Sequence, residues 1–209
     1  MKIAIIGTGQ VAAALGRGWA NKGHIVTFAS REPGAERVLA LLEGAGPNAS
    51  AARVADAAAR SSVIVLAVPF TAARERVEMA GDLSGKIVID CTNPIAPGLR
   101  PMFDASTSGA EQIAARVPRA RFVKAFNTTG AENMADPVYD GQPSTMFVCG
   151  DDAMAKGTAT QLAEELGFEV IDAGGLTAAR HLENLALLWI HLANVVGYGR
   201  DISFRLLRR

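Results

Sequence analysis

The sequence predicts an α/β fold, a doubly wound and mainly parallel sheet of about eight strands with a C-terminal helical extension. Three observations carry this expectation. Lys2-Ile3-Ala4-Ile5-Ile6 is a short run rich in β-branched residues that stops at Gly7 and passes at once into a helical pattern. Ser62 to Val68 is a continuous apolar run of the kind buried on both faces of a parallel sheet. Strand-like runs then alternate with helix-like segments along the chain, with no internal repeat or low-complexity linker.

The first unit organises the rest. Gly7-Thr8-Gly9-Gln10-Val11-Ala12 follows a strand and opens a helix, the context in which a glycine fingerprint binds a dinucleotide. Gly7 permits the tight turn, Gly9 has no side chain to keep a pyrophosphate from the backbone, and small Ala12 lets helix and strand pack closely. The phosphates would sit on the unpaired N–H groups and positive dipole end of a helix beginning near Gln10. This is the Rossmann-type arrangement. The helix runs through Leu15 and Trp19 to Lys22 and closes at Gly23, and His24 to Ala29 is the second strand. An acidic residue at the end of that strand would bind ribose hydroxyls and repel a 2′-phosphate. Ser30-Arg31 instead offers a hydroxyl and a guanidinium, which suit a phosphate dianion and predict NADP(H). Glu32 as the ribose acid, with Arg31 a solvated charge, is the competing possibility. Arg37 could reach the same phosphate or simply be an exposed helix charge.

Leu39 to Leu42 ends a helix that turns over Glu43 to Pro47; Asn48 to Ala52 is a weak third strand and Ala55 to Arg60 an alanine-rich helix. Ser62 to Val68 is the fourth strand. Ligands of open α/β sheets lie at the carboxyl ends of strands near the chain reversal, so Val68, Pro69 and Phe70 are expected against the cofactor, although Phe70 could equally fill core. Thr71 to Ala80 is a helix, and the fifth strand, Lys86 to Asp90, runs into Cys91-Thr92-Asn93-Pro94. Ile95 to Ser108, rich in Pro, Gly, Ser and Thr, predicts a mobile loop beside the site. Gly109 to Val117 is a helix, and the sixth strand, Arg121 to Ala125, ends in Phe126-Asn127-Thr128-Thr129-Gly130. Ala131 to Met134 is a helical turn, Ser144 to Cys149 the seventh strand, Ala153 to Leu166 a helix capped by Asp151-Asp152, and Phe168 to Asp172 the eighth strand. The polar turns at Thr8-Gly9-Gln10, Cys91-Thr92-Asn93 and Asn127-Thr128-Thr129 are thus expected to face one edge of the sheet. From Thr177 a long helix places Leu182, Leu185, Leu188, Trp189, Leu192 and Val196 on a broad apolar face. The expected division is an NADP-binding domain over 1–175 and an extension over 176–209 that packs on it or on the partner in a homodimer.

Composition narrows the function. Of 209 residues 21 are basic and 21 acidic, so nothing electrostatic favours nucleic acid or an anionic membrane. The N-terminal apolar run is too short for a signal peptide and no segment approaches membrane-spanning length, so a cytoplasmic protein is expected. Cys91 and Cys149 each close an apolar run, which fits reduced, buried thiols rather than a disulfide or a metal site. No side chain stands out as a catalyst. His24 starts a strand, and His181 and His191 lie on the last helix with only Glu183 as a carboxylate neighbour; Lys124 could put its ammonium at a sheet edge. Reduction of an alcohol or imine partner needs a group to handle a proton, whereas hydride exchange between a nicotinamide and a second redox ring needs mainly alignment. The second kind of small-molecule substrate is favoured. A non-catalytic NADP(H)-binding sensor, or a carbonyl or imine reductase using Lys124 or a water, are the alternatives.

Motifs along nearly the whole chain resemble the NADPH-dependent reductases of coenzyme F420, with their relatives in the cytosolic domain of STEAP metalloreductases. They are Gly7-Thr8-Gly9, Ser30-Arg31, Ala67-Val68-Pro69, Asn93-Pro94, Val123-Lys124-Ala125-Phe126-Asn127, Cys149-Gly150-Asp151-Asp152, Asp172-Ala173-Gly174 and Leu206-Leu207-Arg208-Arg209. The resemblance implies that Thr8, Gln10 and Val11 touch the pyrophosphate, that Ser30 and Arg31 hold the 2′-phosphate, and that Val68-Pro69 borders the nicotinamide. It also implies that a deazaflavin (coenzyme F420) or a flavin (FMN or FAD) stacks on the nicotinamide near Asn93-Pro94 and Phe126-Asn127, and Ala125 of the same motif is expected among the cofactor-binding residues. The chain departs from the established F420 reductases over Ile95 to Ser108 and Asn127 to Ala131.

Overall fold

The computed structural model describes residues 1–209. Strands and helices alternate strictly through β1 (Lys2–Ile6), α1 (Gln10–Asn21), β2 (Ile25–Ala29), α2 (Glu36–Ala45), β3 (Ala49–Ala52), α3 (Val54–Arg60), β4 (Val63–Leu66), α4 (Phe70–Met79) and β5 (Ile87–Asp90). A small hairpin follows, β6 (Ile95–Ala96) and β7 (Arg100–Pro101), then α5 (Gly109–Ala114), β8 (Arg121–Lys124) and α6 (Ala131–Ala135). A second hairpin, β9 (Val138–Tyr139) and β10 (Gln142–Pro143), leads to β11 (Thr145–Gly150), α7 (Ala153–Leu166) and β12 (Glu169–Asp172). A 3₁₀ turn over Leu176–Ala178 opens α8 (Ala179–His191), which loosens into a π turn over Leu192–Val196.

The eight long strands form one sheet in the order β12-β11-β8-β5-β4-β1-β2-β3. All neighbours run parallel except β8 and β11, which meet antiparallel through Cys149 opposite Lys124. The chain reverses direction across the sheet between β1 and β4, and this opens a crevice at their carboxyl ends. Alternate residues supply two cores. Ile3, Ile5, Val65, Ile89 and Val123 pack under Leu15 and Trp19 of α1 and Leu162 of α7. Ala4, Ile6, Ile64, Leu66 and Val88 pack on the other face under α3, α4, α5 and α8 through Ala57, Val77, Ile113 and Leu182. All four residues of β4 are buried, as its unbroken apolar run requires. Helix α1 lies so close to the sheet that a Cβ on Gly16 would stand 2.4 Å from the Phe28 ring. The closest helix-to-strand approach therefore falls at Gly16, one turn beyond Ala12.

Several expectations need correction. Residues 95–108 are not a plain loop: β6 and β7 pair, and Ser108 caps α5 by accepting from Glu111 N–H. Two-residue strands are too short to show alternation in sequence. Helix α5 ends at Ala114 rather than Val117, and the last helix starts at Ala179 rather than Thr177. The broad face of α8 is only partly covered: Leu182 and Trp189 are buried, but Leu188 and Val196 are 47% and 53% exposed. Beyond Val196 the chain folds back. Trp189 Nε1 donates to Ile202 O at 2.7 Å, and Thr145 N donates to Phe204 O at 2.9 Å.

Arg180 of α8 grips Glu111 of α5 with two bonds of 2.8 and 2.6 Å. The bonds from Arg180 hold the Glu111 carboxyl below the usual carboxylate range against the opposing effect of burial. A depressed acid contributes stability that is complete above its unfolded pKa and lost as pH falls through its folded one. The urea midpoint is therefore expected to fall between neutral pH and pH 3, and Glu111→Gln should flatten that dependence.

Candidate functional site

The site starts at the turn after β1. Gly7 has φ +139, and a Cβ there would lie 2.1 Å from Ala67 O, so only glycine lets β1 leave the sheet beside β4. Gly9 is different. Its conformation is open to any residue, and an added Cβ would meet no protein atom within 4 Å. It is the N-cap of α1, whose first turn has no side-chain cap and no acidic residue. The unpaired N–H groups of that turn therefore form an uncovered anion-binding end.

A cleft of ≈ 330 Å³ opens in front of this turn. Gly7, Thr8 and Gly9 form its floor, Ser30, Arg31 and Arg37 one wall, and Val68, Pro69, Ala72 and Arg76 the other. No carboxylate lines it. Glu32 is exposed and outside the lining; its N–H donates to Ser30 Oγ at 3.1 Å, which fixes the hydroxyl at the cleft wall. A hollow of similar volume, ≈ 340 Å³, lies between α1 and α6 and takes in Gln10, Arg17 and Glu132. It sits on the flank of α1 rather than between the two walls at the strand ends, so we place the candidate site in the Gly7 cleft. Gln10 lines this second hollow, and half-buried Val11 packs on the core.

Farther along the carboxyl edge, β5 and β8 bring two asparagines together. Asn93 Nδ2 donates to Asn127 O at 2.9 Å, and Asn127 Nδ2 donates to Asn93 Oδ1 at 3.0 Å and to Leu182 O at 3.1 Å. Asn127 Oδ1 and Thr92 Oγ1 are buried without any hydrogen-bond partner. Buried polar atoms left in this state lose about 1–3 kcal/mol each, a penalty a ligand or water can relieve. Asn127 reaches its place because Phe126 adopts φ +60, rare for an aromatic residue. Edge-on contacts of its ring with Trp19 at 5.6 Å and Phe168 at 6.5 Å hold that conformation. Two of the residues expected at the cofactor lie outside the lining of the Gly7 cleft. The Ala125 side chain is wholly inside the core, and Phe70 packs edge-on against Phe103 of the segment after β7, at 5.6 Å, outside the cleft lining. Pro94 borders a much smaller hollow, ≈ 20 Å³, with Phe103 and Leu187.

Beneath the asparagines lies a buried charge cluster. Lys124 is not at a sheet edge but fully enclosed, because α5 and α8 cover the sheet there. Its ammonium donates to Asp90 Oδ2 at 2.8 Å and to Thr92 O, and stands 3.1 Å from Glu183 Oε1. Burial alone would lower its pKa, but the Asp90 and Glu183 carboxylates outweigh that and hold it above its ordinary value. Glu183 is no histidine partner. It also accepts from Gly109 N at 2.9 Å and Ala110 N at 3.0 Å, closing the first turn of α5. His24 is likewise satisfied, between the N-terminal amine at 2.7 Å and Glu165 at 2.6 Å. Both thiols are free and buried, and burial pushes Cys91 far up and Cys149 up to about 12, which disfavours the thiolate form.

Sequence reasoning missed Arg76, Asp90 and Glu183. Arg76 sits among Arg74, Glu75 and Glu78 and reads as one more charge on a solvated helix face. The Asp90 and Glu183 contacts join segments far apart in the chain.

A family model described as NADP oxidoreductase, coenzyme F420-dependent, matches residues 2–94. The F420-dependent NADP reductase of Methanothermobacter thermautotrophicus is 32% identical over 99% of this chain and 94% of its own. The metalloreductase STEAP3 of Rattus norvegicus is 31% identical over 89% of this chain, which spans only 36% of that longer protein. A crystal structure from Arthrobacter sp. FB24, assigned as an F420-dependent NADP reductase, superposes with a TM-score of 0.90 at 34% identity, covering 100% of both chains.

Proposed function

Because this chain belongs to the family of F420-dependent NADP reductases, and so to the NADP-dependent oxidoreductases, we propose that it moves a hydride between NADP(H) and a deazaflavin or flavin ring. NADP(H) would occupy the Gly7 cleft, with the second ring at Asn93, Pro94 and Asn127. The observation that carries the second half of the proposal is Lys124. Its ammonium is spent on Asp90, Thr92 O and Glu183 and wholly enclosed, so it holds its protons instead of delivering them. A carbonyl or imine substrate would have to take its proton from another donor, such as a water. A ring that accepts a hydride as such needs alignment only.

The cleft fits the cofactor. The empty space before Gly9 and the uncapped first turn of α1 suit a pyrophosphate, and the carboxylate-free Ser30-Arg31 wall suits a 2′-phosphate. Bound there, the nicotinamide supplies or takes the hydride. Val68 and Pro69 would border it, while the Thr92 hydroxyl, able to donate or accept, and the Asn127 amide oxygen, an acceptor, are unpartnered groups that it or the partner ring could satisfy. In this scheme residues 1–175 bind the cofactor and 176–209 wall the second site through α8. Exposed Leu188, Val195, Val196 and Tyr198 favour pairing of two copies as a homodimer. No helix is long and apolar enough to cross a membrane.

Cofactor choice has a direct test. Arg31→Ala should weaken NADPH by about 1.5–3 kcal/mol, the worth of a hydrogen bond to a charged group, and leave NADH unchanged. Equal losses in isothermal titration would show that Arg31 does not read the phosphate. The reaction is tested by anaerobic stopped-flow of NADPH against coenzyme F420, FMN, FAD and a cyclic imine. Oxidation of NADPH with one of the three rings and none with the imine is expected; turnover with the imine alone would reverse the assignment.

A further inference from the structure

The two walls of the cleft are not equivalent, and the α4 wall carries a charge that the glycine fingerprint and the Ser30-Arg31 pair leave unexplained. Arg76 lies one turn beyond Ala72 on α4, and both line the cleft. The side chain is only 12% exposed, so it is ordered against the helix rather than waving in solvent. Its Nη1 donates to Glu75 Oε1 at 3.2 Å and to Met79 Sδ at 3.0 Å. Nε and Nη2 make no bond to the protein. Glu75 is 62% exposed, so that pairing is on the solvent side and does little to neutralise the cleft.

Three guanidinium groups, Arg31, Arg37 and Arg76, thus border one ≈ 330 Å³ space without a lining carboxylate, in a chain whose net charge is zero. Like charges gathered in this way repel unless an anion sits among them. The N–H groups of the first α1 turn already provide for a pyrophosphate, so the arginines address a second anionic group. We propose that Arg76 reads the 2′-phosphate of NADP(H) from the α4 wall, opposite Arg31, and is a specificity determinant for NADP(H) over NAD(H). This rests on the assignment of the cleft to NADP(H). Arg31 and Arg76, on opposite walls, form a clamp, and the free Nε and Nη2 of Arg76 are the donors.

Titration of wild type, Arg76→Gln and Arg76→Lys with NADPH, NADH, adenosine 2′,5′-bisphosphate and 5′-AMP tests the proposal. Arg76→Gln should raise the Kd for NADPH and the bisphosphate by about ten- to a hundredfold, and for NADH and 5′-AMP by less than about threefold. Arg76→Lys, which keeps the charge but not the planar fork, should fall between. Because the Arg76 side chain is nearly buried, the urea midpoint of each variant is read alongside, and a fall in it with no discrimination between phosphorylated and unphosphorylated ligands would overturn the proposal. Equal weakening of phosphorylated and unphosphorylated ligands would overturn the proposal and make Arg76 a packing residue against adenosine. Unchanged affinities would overturn it too. If wild type itself does not prefer the bisphosphate to 5′-AMP, the assignment of the cleft to NADP(H) fails, and the role of Arg76 with it.

Discussion

Lys124→Met is expected to lower the unfolding free energy by about 3–5 kcal/mol, the loss typical when one partner of a buried ion cluster is removed. Asp90 and Lys124 have no exposed surface and Glu183 has almost none, so the two carboxylates would be left facing each other without a counterion. Methionine fills the volume of the lysine stem, and the loss is therefore electrostatic rather than a cavity effect. Glu183→Gln should lose less, because Lys124 keeps Asp90 as its counterion and the single amide oxygen can still accept from Ala110 N–H, with only the Gly109 bond forfeited. Urea unfolding followed by far-UV circular dichroism separates the two. The cluster joins β5, β8, α5 and α8, so a smaller m-value for Lys124→Met would show α8 leaving the sheet in advance of the rest.

Gly9→Val should raise the Kd for NADPH about a hundredfold or more, close to 2.7 kcal/mol, with the thermal midpoint of the free protein unchanged. The structure separates these effects because a Cβ on Gly9 touches nothing in the protein and occupies the space before the α1 turn. Gly7→Ala is the counterpart. There the added carbon would drive into Ala67 O at 2.1 Å with φ at +139, so stability and binding should fall together. If Gly9→Val left NADPH affinity intact, the pyrophosphate would have to lie elsewhere, and the hollow between α1 and α6 that holds Gln10 would be the place to look.

The sheet was legible in the sequence because its signals are local. Ser62 to Val68 and Lys86 to Asp90 are apolar without interruption, and each glycine turn lies beside the strand it ends. The Gly7-Thr8-Gly9 turn and the place of Ser30-Arg31 at the end of β2 were legible for the same reason. The β6-β7 and β9-β10 hairpins were not, since two residues cannot display a period of two. Lys124 misled for a different reason. A polar residue alternating with apolar ones reads as an outward strand position, but in a doubly wound sheet both faces are covered, and the groups that receive its charge come from distant segments. Phe126 hides its left-handed backbone behind an ordinary strand-end pattern, and only the Trp19 and Phe168 rings around it make that conformation hold.

Transfer of the label from NADPH deuterated at nicotinamide C4 to oxidised coenzyme F420, run anaerobically in ordinary water, tests the central claim most directly. The ring carbon that accepts a hydride in a deazaflavin does not exchange with solvent, so deuterium on that carbon, from one face of the nicotinamide only, is the expected result. Product that carries hydrogen from the solvent at that carbon would contradict direct transfer between two aligned rings, as would NADPH oxidised only when a protonatable carbonyl or imine is supplied.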